Sequence, residues 1–269
     1  MADYRKVEEV KAAELRGIRK SFLLPDGTEL PVLAGIDFSV DEGEFVTMVG
    51  LSGCGKTTLL NIIAGLDKPT EGEVFIDGRK SIKLGKDLTM IFQENTLFPW
   101  KTVEQNVEFG LKAAGIDQDR DRIVSEALLN VGLEKFAKYF PHQLSTGMKQ
   151  KVAIARALVL HPKVLLMDEP FSSLDAFTRL AFQDDLCKIL EGRELTTIFV
   201  THDVEEAIYL STRIIVLSPR PAEVAEIVRV NLRRPRSSET RISDEFIRAQ
   251  SLILSRLRKD FAGCKNSIG

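Results

Sequence analysis

One stretch of the chain has the residue types and spacing of a phosphate-binding loop, G-x-x-x-x-G-K-[ST]. It consists of Gly50, Leu51, Ser52, Gly53, Cys54, Gly55, Lys56 and Thr57. The glycines let the backbone curl so that its N–H groups point at phosphate oxygens. Lys56 can reach the terminal phosphates, and the Thr57 hydroxyl can bind Mg²⁺. Because an apolar run precedes the loop and a helical pattern follows it, the sequence predicts a nucleoside triphosphate site that includes the adjacent Thr58.

Two adjacent carboxylates follow a second apolar run, residues 164–167. Asp168 stands at the carboxyl end of the predicted buried strand, where it can bind Mg²⁺ through water. Glu169 can act as a general base that polarises an attacking water. Acidic residues often simply end a strand, but this pair lies about 110 residues after a phosphate loop. The pair therefore predicts a hydrolytic site.

A third motif, Leu-Ser-Thr-Gly-Met-Lys-Gln, occupies residues 144–150 and precedes a helical pattern. Taken alone, Ser145 is a helix cap. A capped helix N-terminus also attracts anions, so this segment can meet a phosphate.

These motifs, with Gln93, the Ser-Leu-Asp sequence at 173–175 and His202, have the order and spacing of a known family. From about residue 14 to 218 the chain resembles the nucleotide-binding subunit of ABC transporters. The resemblance implies that the substrate is ATP, that Phe22 stacks on its adenine, and that Gln93 contacts Mg²⁺ and the attacking water. It implies that His202 contacts the γ-phosphate and helps to position Glu169.

The resemblance also implies a head-to-tail dimer of two copies of the chain. In it, Ser145 and Gly147 contact the nucleotide bound to the opposite copy, and Asp175 lies in the interface. The chain has Thr146 where the family usually has glycine. A β-branched residue would be strained there if the backbone needed a positive φ, so the effect on turnover stays open.

The amino-acid composition limits the classes of partner and the cellular location that we expect for the chain. The 37 basic and 39 acidic residues of the 269-residue chain give a net charge of −2, without the basic excess of a nucleic-acid binder. Three sparse cysteines indicate reduced thiols in a cytosolic protein. No apolar run approaches the roughly 18 residues that span a bilayer, and the first residues do not form a signal peptide. We expect a soluble chain held at the cytoplasmic face of a membrane by its partners.

The pattern along the chain predicts an α/β fold. Short strands separated by turns, with a hairpin at Asp26-Gly27, fill residues 14–48; a mostly helical stretch follows, and then buried parallel strands. The predicted fold is a P-loop NTPase (ABC ATPase) core with an N-terminal antiparallel β subdomain and an inserted α-helical subdomain. The predicted nucleotide-binding domain covers 14–232, with the helical subdomain at about 94–160.

Residues 233–269 are predicted to form a linker and a closing helix. The apolar residues of this tail recur at helical spacing: Phe246, Ala249, Ile253, Leu257 and Phe261. The pattern favours a helix packed on the body of the domain, and a regulatory or partner contact is left open.

Three segments narrow the resemblance to the ATPases of importers for nitrate, sulfonate, taurine and bicarbonate. They are Asn95–Trp100, Asp175–Arg179 and Ser218–Pro221. The resemblance implies transmembrane permease subunits, docked at Pro99 and Trp100, and indirectly an external solute-binding protein. The alternatives are an ATPase of a polyamine or iron importer, and a non-transport ABC ATPase. A P-loop kinase or GTPase would lack the 144–148 signature and His202.

Overall fold

A computed structural model describes residues 11–80, 83–94 and 96–265, with side chains described as far as residue 258. Asn95, from the first importer-like segment, and the side chains of Phe261 and Cys264 therefore lie outside the described part. Within that part, no helix is both long and apolar enough to cross a membrane.

The chain begins with an antiparallel sheet. Strands β1 (Lys11–Leu23) and β2 (Glu29–Asp41) form a hairpin, and β4 (Glu71–Ile76) and then β5 (Arg79–Lys80) pair beyond β1. The hairpin turns at the predicted Asp26-Gly27, where Gly27 has a φ of 85°. The prediction of short strands was wrong, because β1 and β2 each run for 13 residues. Register shifts, one of them around Gly17 at a φ of 57°, let strands of this length curl.

The second sheet is the main one. It contains β3 (Phe45–Val49), β6 (Leu88–Ile91), β7 (Val164–Asp168), β8 (Thr196–Val200), β9 (Arg213–Leu217) and β10 (Val224–Arg229). The spatial order is β10-β9-β3-β8-β7-β6, and every neighbouring pair is parallel except β10 with β9. The carboxyl ends of β3, β8 and β7 are therefore adjacent. In parallel α/β sheets this edge is where ligands bind.

The main sheet is buried on both faces. Along β3, Val46 and Met48 join the core shared with the first sheet, while Phe45 and Val49 join the core shared with the helices. All five residues of β3, β7 and β8 are buried, as expected for parallel strands covered on both sides. This packing fixes the strand ends that carry the polar residues.

Helix α1 (Lys56–Ile63) packs between the two sheets. Helices α2 (Val103–Ala113), α3 (Arg120–Asn130) and α4 (Thr146–Leu158) form the predicted helical stretch, followed by α5 (Ala176–Leu190) and α6 (Val204–Leu210). The predicted closing helix is α7 (Asp244–Lys265), and its Phe246 and Ile253 are buried in the helical core. The domain boundaries at 14–232 and 94–160 stay predictions.

Candidate active site

The phosphate-binding loop connects β3 to α1, as its sequence predicts. Gly53 and Gly55 have φ values of 75° and 119°, a region that residues with a Cβ rarely adopt. A Cβ on Gly55 would lie 2.9 Å from Cγ1 of Val32, and one on Gly50 would lie 2.9 Å from the buried Cys54 Sγ. The tight curl of the loop therefore needs glycine at these positions.

Lys56 is buried to 5% exposure at the first position of α1. Its Nζ donates to the carbonyl oxygens of Gly50 and Leu51, at 3.0 and 3.1 Å. These bonds hold the ammonium group across the mouth of the loop. A bound phosphate would thus meet a positive charge that is already oriented.

Thr57 and Asp168 meet although 111 residues separate them in sequence. The Thr57 hydroxyl donates to Asp168 Oδ1 at 3.2 Å. Burial raises the pKa of the Asp168 carboxyl, an effect that the Thr57 hydrogen bond opposes. A hydroxyl and a buried carboxylate side by side are hard oxygen ligands of the kind that Mg²⁺ prefers, so these residues fit that ion.

Glu169 and His202 form the second polar pair of the site. His202 Nδ1 lies 2.8 Å from Glu169 Oε2, with the histidine side chain 56% and the glutamate side chain 17% exposed. Glu169 has a φ of 40°, which costs a residue with a side chain about 1 kcal/mol or more. Its N–H donates to the Val200 carbonyl at 2.9 Å, and this bond between β7 and β8 helps to hold the strained backbone.

One cavity of about 630 Å³ brings most of the predicted residues together. Its lining includes Phe22, Ser52, Gly53, Gly55, Lys56, Thr57, Thr58, Gln93, Glu169 and His202. Leu30, which pairs with Phe22 in the β1–β2 hairpin, and Val32 form with Phe22 an apolar end of the cavity. Phe22 is 40% exposed, and the Lys20 ammonium lies 4.8 Å from the centroid of its ring. The cavity combines an apolar end, a phosphate loop and a carboxylate–histidine pair.

Gly50, Leu51, Cys54 and Asp168 are not part of this lining, although they belong to the loop or contact Thr57. Two further predicted residues lie on a different helix. Ser145 caps α4, where its hydroxyl accepts from the Met148 N–H at 3.3 Å, and neither Ser145 nor Gly147 lines the cavity. Thr146 is the first residue of α4 and is not among the described residues with positive φ, so the structure shows no strain there. The N-terminus of α4 instead faces α5, since a Cβ on Gly147 would lie 3.3 Å from Thr178 Cγ2.

Arg220 is a residue of the cavity that reasoning from the sequence did not assign. It lies in the turn between β9 and β10, and its Nε donates to the Gly53 carbonyl at 3.1 Å. The sequence signal is the Ser-Pro-Arg-Pro segment at 218–221, which carries a family resemblance but indicates no role for Arg220.

Comparisons with known proteins agree with this geometry. The model of the ABC transporter family matches residues 33–172. The chain belongs to the ABC transporter family. An uncharacterized ABC transporter ATP-binding protein of Methanocaldococcus jannaschii is 48% identical over 87% of both chains. The aliphatic sulfonates import ATP-binding protein SsuB of Bacillus thuringiensis is 48% identical over 82% of this chain and 86% of its own length.

Solved structures of ABC cassettes share the fold. The cassette MJ0796, in a dimeric post-hydrolysis state with ADP and Pi, superposes with a TM-score of 0.71 at 35% identity. That match covers 81% of this chain and 99% of the cassette. CbiO1 of Clostridium perfringens, part of an ABC transporter complex, gives a TM-score of 0.74 at 27% identity over 93% and 98% of the two chains. The predicted fold class and family are therefore confirmed, and the chain is an ABC-type ATPase.

Proposed function

We propose that this chain is the ATP-hydrolysing subunit of a membrane importer. The observation that carries the proposal is the Glu169–His202 pair, which lies in the same cavity as Lys56 and Thr57. A nucleotide-binding module without hydrolysis needs the loop but not a carboxylate held at 2.8 Å by an imidazole. The site therefore provides both the binding and the proton-accepting groups of a phosphohydrolase.

We assign the binding roles along the cavity. Phe22 stacks on adenine at the apolar end, while loop N–H groups and Lys56 bind the phosphates. Thr57 and Asp168 hold Mg²⁺, and Gln93, which lines the same cavity as Thr57, contacts it as well. Bound Mg²⁺ supplies positive charge that offsets the negative charge of the phosphate oxygens.

We assign the chemical step to Glu169 and its partner. The Glu169 carboxylate accepts a proton from the attacking water as the water oxygen bonds to the γ-phosphorus. The bond from that phosphorus to the bridging β-phosphate oxygen breaks, and ADP and phosphate are released. His202 directs Nδ1 at Oε2 of Glu169 and orients that carboxylate. Its other ring nitrogen, Nε2, then faces away from Glu169 and is available to a γ-phosphate oxygen.

A second copy of the chain completes the site in this proposal. Ser145 and Gly147 stand at a capped helix N-terminus, which suits an anion, yet they lie outside the chain's own cavity. The dimeric state reported for the MJ0796 cassette supports an arrangement in which this helix meets the partner's nucleotide. Two such contacts would close two ATP sites between the subunits.

The test of the hydrolytic assignment is Glu169→Gln. We expect ATP binding to persist and steady-state phosphate release to fall about 100-fold or more, because the amide cannot accept the proton. Phosphate release and equilibrium ATP binding are measured on the same preparations. Wild-type turnover in this variant would remove Glu169 from the role of base.

Lys56→Ala is the companion variant for the loop. Lys56 Nζ is held by two loop carbonyls, where it can meet a phosphate. Loss of this ammonium group should therefore abolish ATP binding, and not merely slow hydrolysis of bound ATP. Unchanged nucleotide affinity would contradict the assignment of the cavity. The two variants thus separate binding from chemistry.

We propose that the transported solute is an anion of the nitrate, sulfonate, taurine or bicarbonate kind. The support is the 45–48% identity to proteins named as aliphatic sulfonates import ATP-binding proteins. In this proposal the chain sits peripherally at the cytoplasmic face of the membrane and moves its permease between states through the ATP-dependent dimer.

The permease contact is assigned to an exposed aromatic cluster. Trp100 is 71% exposed and packs on Phe98, with ring centroids 5.7 Å apart. The fully buried Asn106 fixes this segment, because its amide donates to the carbonyls of Phe98, Lys101 and Thr102. A rigid, exposed Trp is suited to a protein contact.

Measurements of solute uptake by cells distinguish between the candidate substrates. Cells that lack this chain should no longer accumulate one of four labelled solutes: nitrate, bicarbonate, taurine or an alkanesulfonate. Expression of the wild-type chain should restore uptake of that solute, and expression of Glu169→Gln should not. Loss of labelled spermidine or iron uptake instead would favour the other importer groups. Unaltered uptake of all these solutes would favour a non-transport ABC ATPase.

A further inference from the structure

Arg220 occupies a position in the cavity to which no role has been assigned. The guanidinium group points at the outer turn of the phosphate loop, where both Nε and Nη2 donate to the Gly53 carbonyl. A guanidinium has five N–H bonds, and these two contacts use two of them. Among the described residues the other three have no hydrogen-bonded acceptor, and no carboxylate forms an ion pair with Arg220.

The turn that carries Arg220 is fixed on both sides. The Glu223 N–H donates to Ser218 Oγ at 2.9 Å, which closes the turn on itself. Ala222 is paired with β2, since its N–H donates to the Val32 carbonyl and its own carbonyl accepts from Ala34, at 2.8 and 2.9 Å. Because Val32 lines the cavity, this pairing holds Arg220 against the same cavity.

The charge of Arg220 also acts inside the loop. Burial raises the pKa of the Cys54 thiol, and the positive charges of Lys56 and Arg220 lower it. Two cations thus influence one loop, Lys56 from its mouth and Arg220 from its outer turn. An Arg that has spare donors, lacks a carboxylate partner and lines a cavity for an anion is suited to bind phosphate.

We propose that Arg220 is a nucleotide-binding residue, which braces the phosphate loop through the Gly53 carbonyl and contacts the phosphate chain with its free N–H bonds. The proposal rests on the assignment of this cavity to ATP. The position of Arg220 beside Gly53, and not between Glu169 and His202, places it outside the reacting atoms. Its effect falls on nucleotide affinity and not on the hydrolytic step.

The experiment compares Arg220→Met with Arg229→Met. Both remove one positive charge from the same hairpin, but Arg229 is exposed on β10 and does not line the cavity. Equilibrium titration with ATP and ADP should give a dissociation constant about tenfold higher for Arg220→Met and unchanged for Arg229→Met. The rate of phosphate release at saturating ATP should change by less than about twofold.

Arg220→Lys keeps the charge but loses the forked geometry, so its ATP dissociation constant should rise about threefold. If thermal melting shows that Arg220→Met does not fold, the ATP affinity of Arg220→Lys tests the proposal instead. Wild-type affinity in Arg220→Lys, or in a folded Arg220→Met, would overturn the proposal and leave Arg220 as a support of the turn. An equal loss of affinity in Arg229→Met would also overturn it.

The proposed function fails in a different way. If wild-type protein does not bind ATP, or if Lys56→Ala binds it equally well, the assignment of the cavity is wrong and the role of Arg220 falls with it. If wild type binds, Lys56→Ala does not, and Arg220→Met binds as wild type does, only the inference about Arg220 is refuted.

Discussion

At the residue scale, a buried carboxyl close to the site makes stability depend on pH. Glu206 on α6 is 3% exposed, and Gln183 Nε2 donates to its Oε1 at 3.0 Å. Burial raises the pKa of Glu206 to about 7, an effect that hydrogen bonds from Thr201 and Gln183 oppose. Below the ordinary glutamate pKa the group is protonated in both folded and unfolded chains. As the pH rises from there to about 7, the folded state loses stability, by roughly 3 kcal/mol in all.

Glu206→Gln should remove this dependence. At pH 8 we expect the variant to unfold at a higher temperature than wild type, because a neutral amide replaces a buried charge. At pH 5, where the wild-type carboxyl is mostly protonated in the folded state, the two melting temperatures should nearly coincide. Glu205→Gln is the matched control, since Glu205 is its exposed neighbour on α6. A difference of the same size at both pH values would show that the charge of Glu206 is not the cause.

At the same scale, the sequence predicts the phosphate-binding loop and the two adjacent carboxylates because their signals are local. Lys56 and Asp168 each follow an apolar run that can only be a buried strand in this context. Arg220 carries no such signal, since a Ser-Pro-Arg-Pro turn is typical of any exposed connection. Its contact with Gly53 depends on the pairing of Ala222 with β2, which links positions nearly 190 residues apart. Sequence periodicity holds no information on such pairing.

At the element scale, the tail holds the end of α6. Arg236 is 9% exposed and donates to three backbone carbonyls at the C-terminal end of that helix. The acceptors are Ile208, Tyr209 and Ser211, at 3.1, 2.6 and 2.7 Å. Arg234 donates to the carbonyl of Leu210 at 3.0 Å. Cationic groups at a helix C-terminus satisfy its free carbonyls and complement its dipole.

Arg236→Met should therefore destabilise the domain by about 2–4 kcal/mol, because three buried carbonyls lose a charged donor. For a domain of this size the melting temperature should fall by about 5 to 10 °C. Burial lowers the pKa of Arg236 to about 10, so it stays charged at neutral pH and the loss should not vary between pH 6 and 8. Arg233→Met, at an exposed tail position, is the control. Equal melting temperatures for both variants would contradict a structural role for this contact.

The same element shows what sequence patterns can and cannot predict. The spacing of Phe246 and Ile253 predicts the closing helix and its buried face, and both residues are buried against the body. The tail arginines read as a polar linker, because a buried Arg is rare and nothing local marks the carbonyls that it will meet. Burial of Arg236 follows from where the chain returns across α6, which is a property of the packed domain.

At the scale of the whole molecule, the order of the main sheet explains why distant motifs form one site. β8 lies between β3 and β7, so Lys56, Asp168 and His202 leave adjacent strand ends. Buried apolar runs predict that these strands exist and are parallel. Several spatial orders of the strands are compatible with the same runs. The family resemblance predicts the fold class, and the strand order comes from the structure. Ser145 remains outside the cavity in this arrangement, which supports the proposal that it meets the nucleotide of a second copy.

The dimer can be tested without disturbing either the helix cap or the chain's own cavity. Asp and Asn both cap helices well, so Ser145→Asp and Ser145→Asn should each preserve the N-terminus of α4. In a Glu169→Gln background, ATP should double the molar mass of the Asn variant in light scattering. The Asp variant should stay monomeric, because its carboxylate would face the partner's phosphates at close range. Both should bind ATP equally as monomers, since Ser145 does not line its own cavity. If the Asp variant still forms an ATP-dependent dimer, Ser145 does not contact the partner's nucleotide. If the monomer of the Asp variant binds ATP more weakly, Ser145 acts on the nucleotide of its own chain.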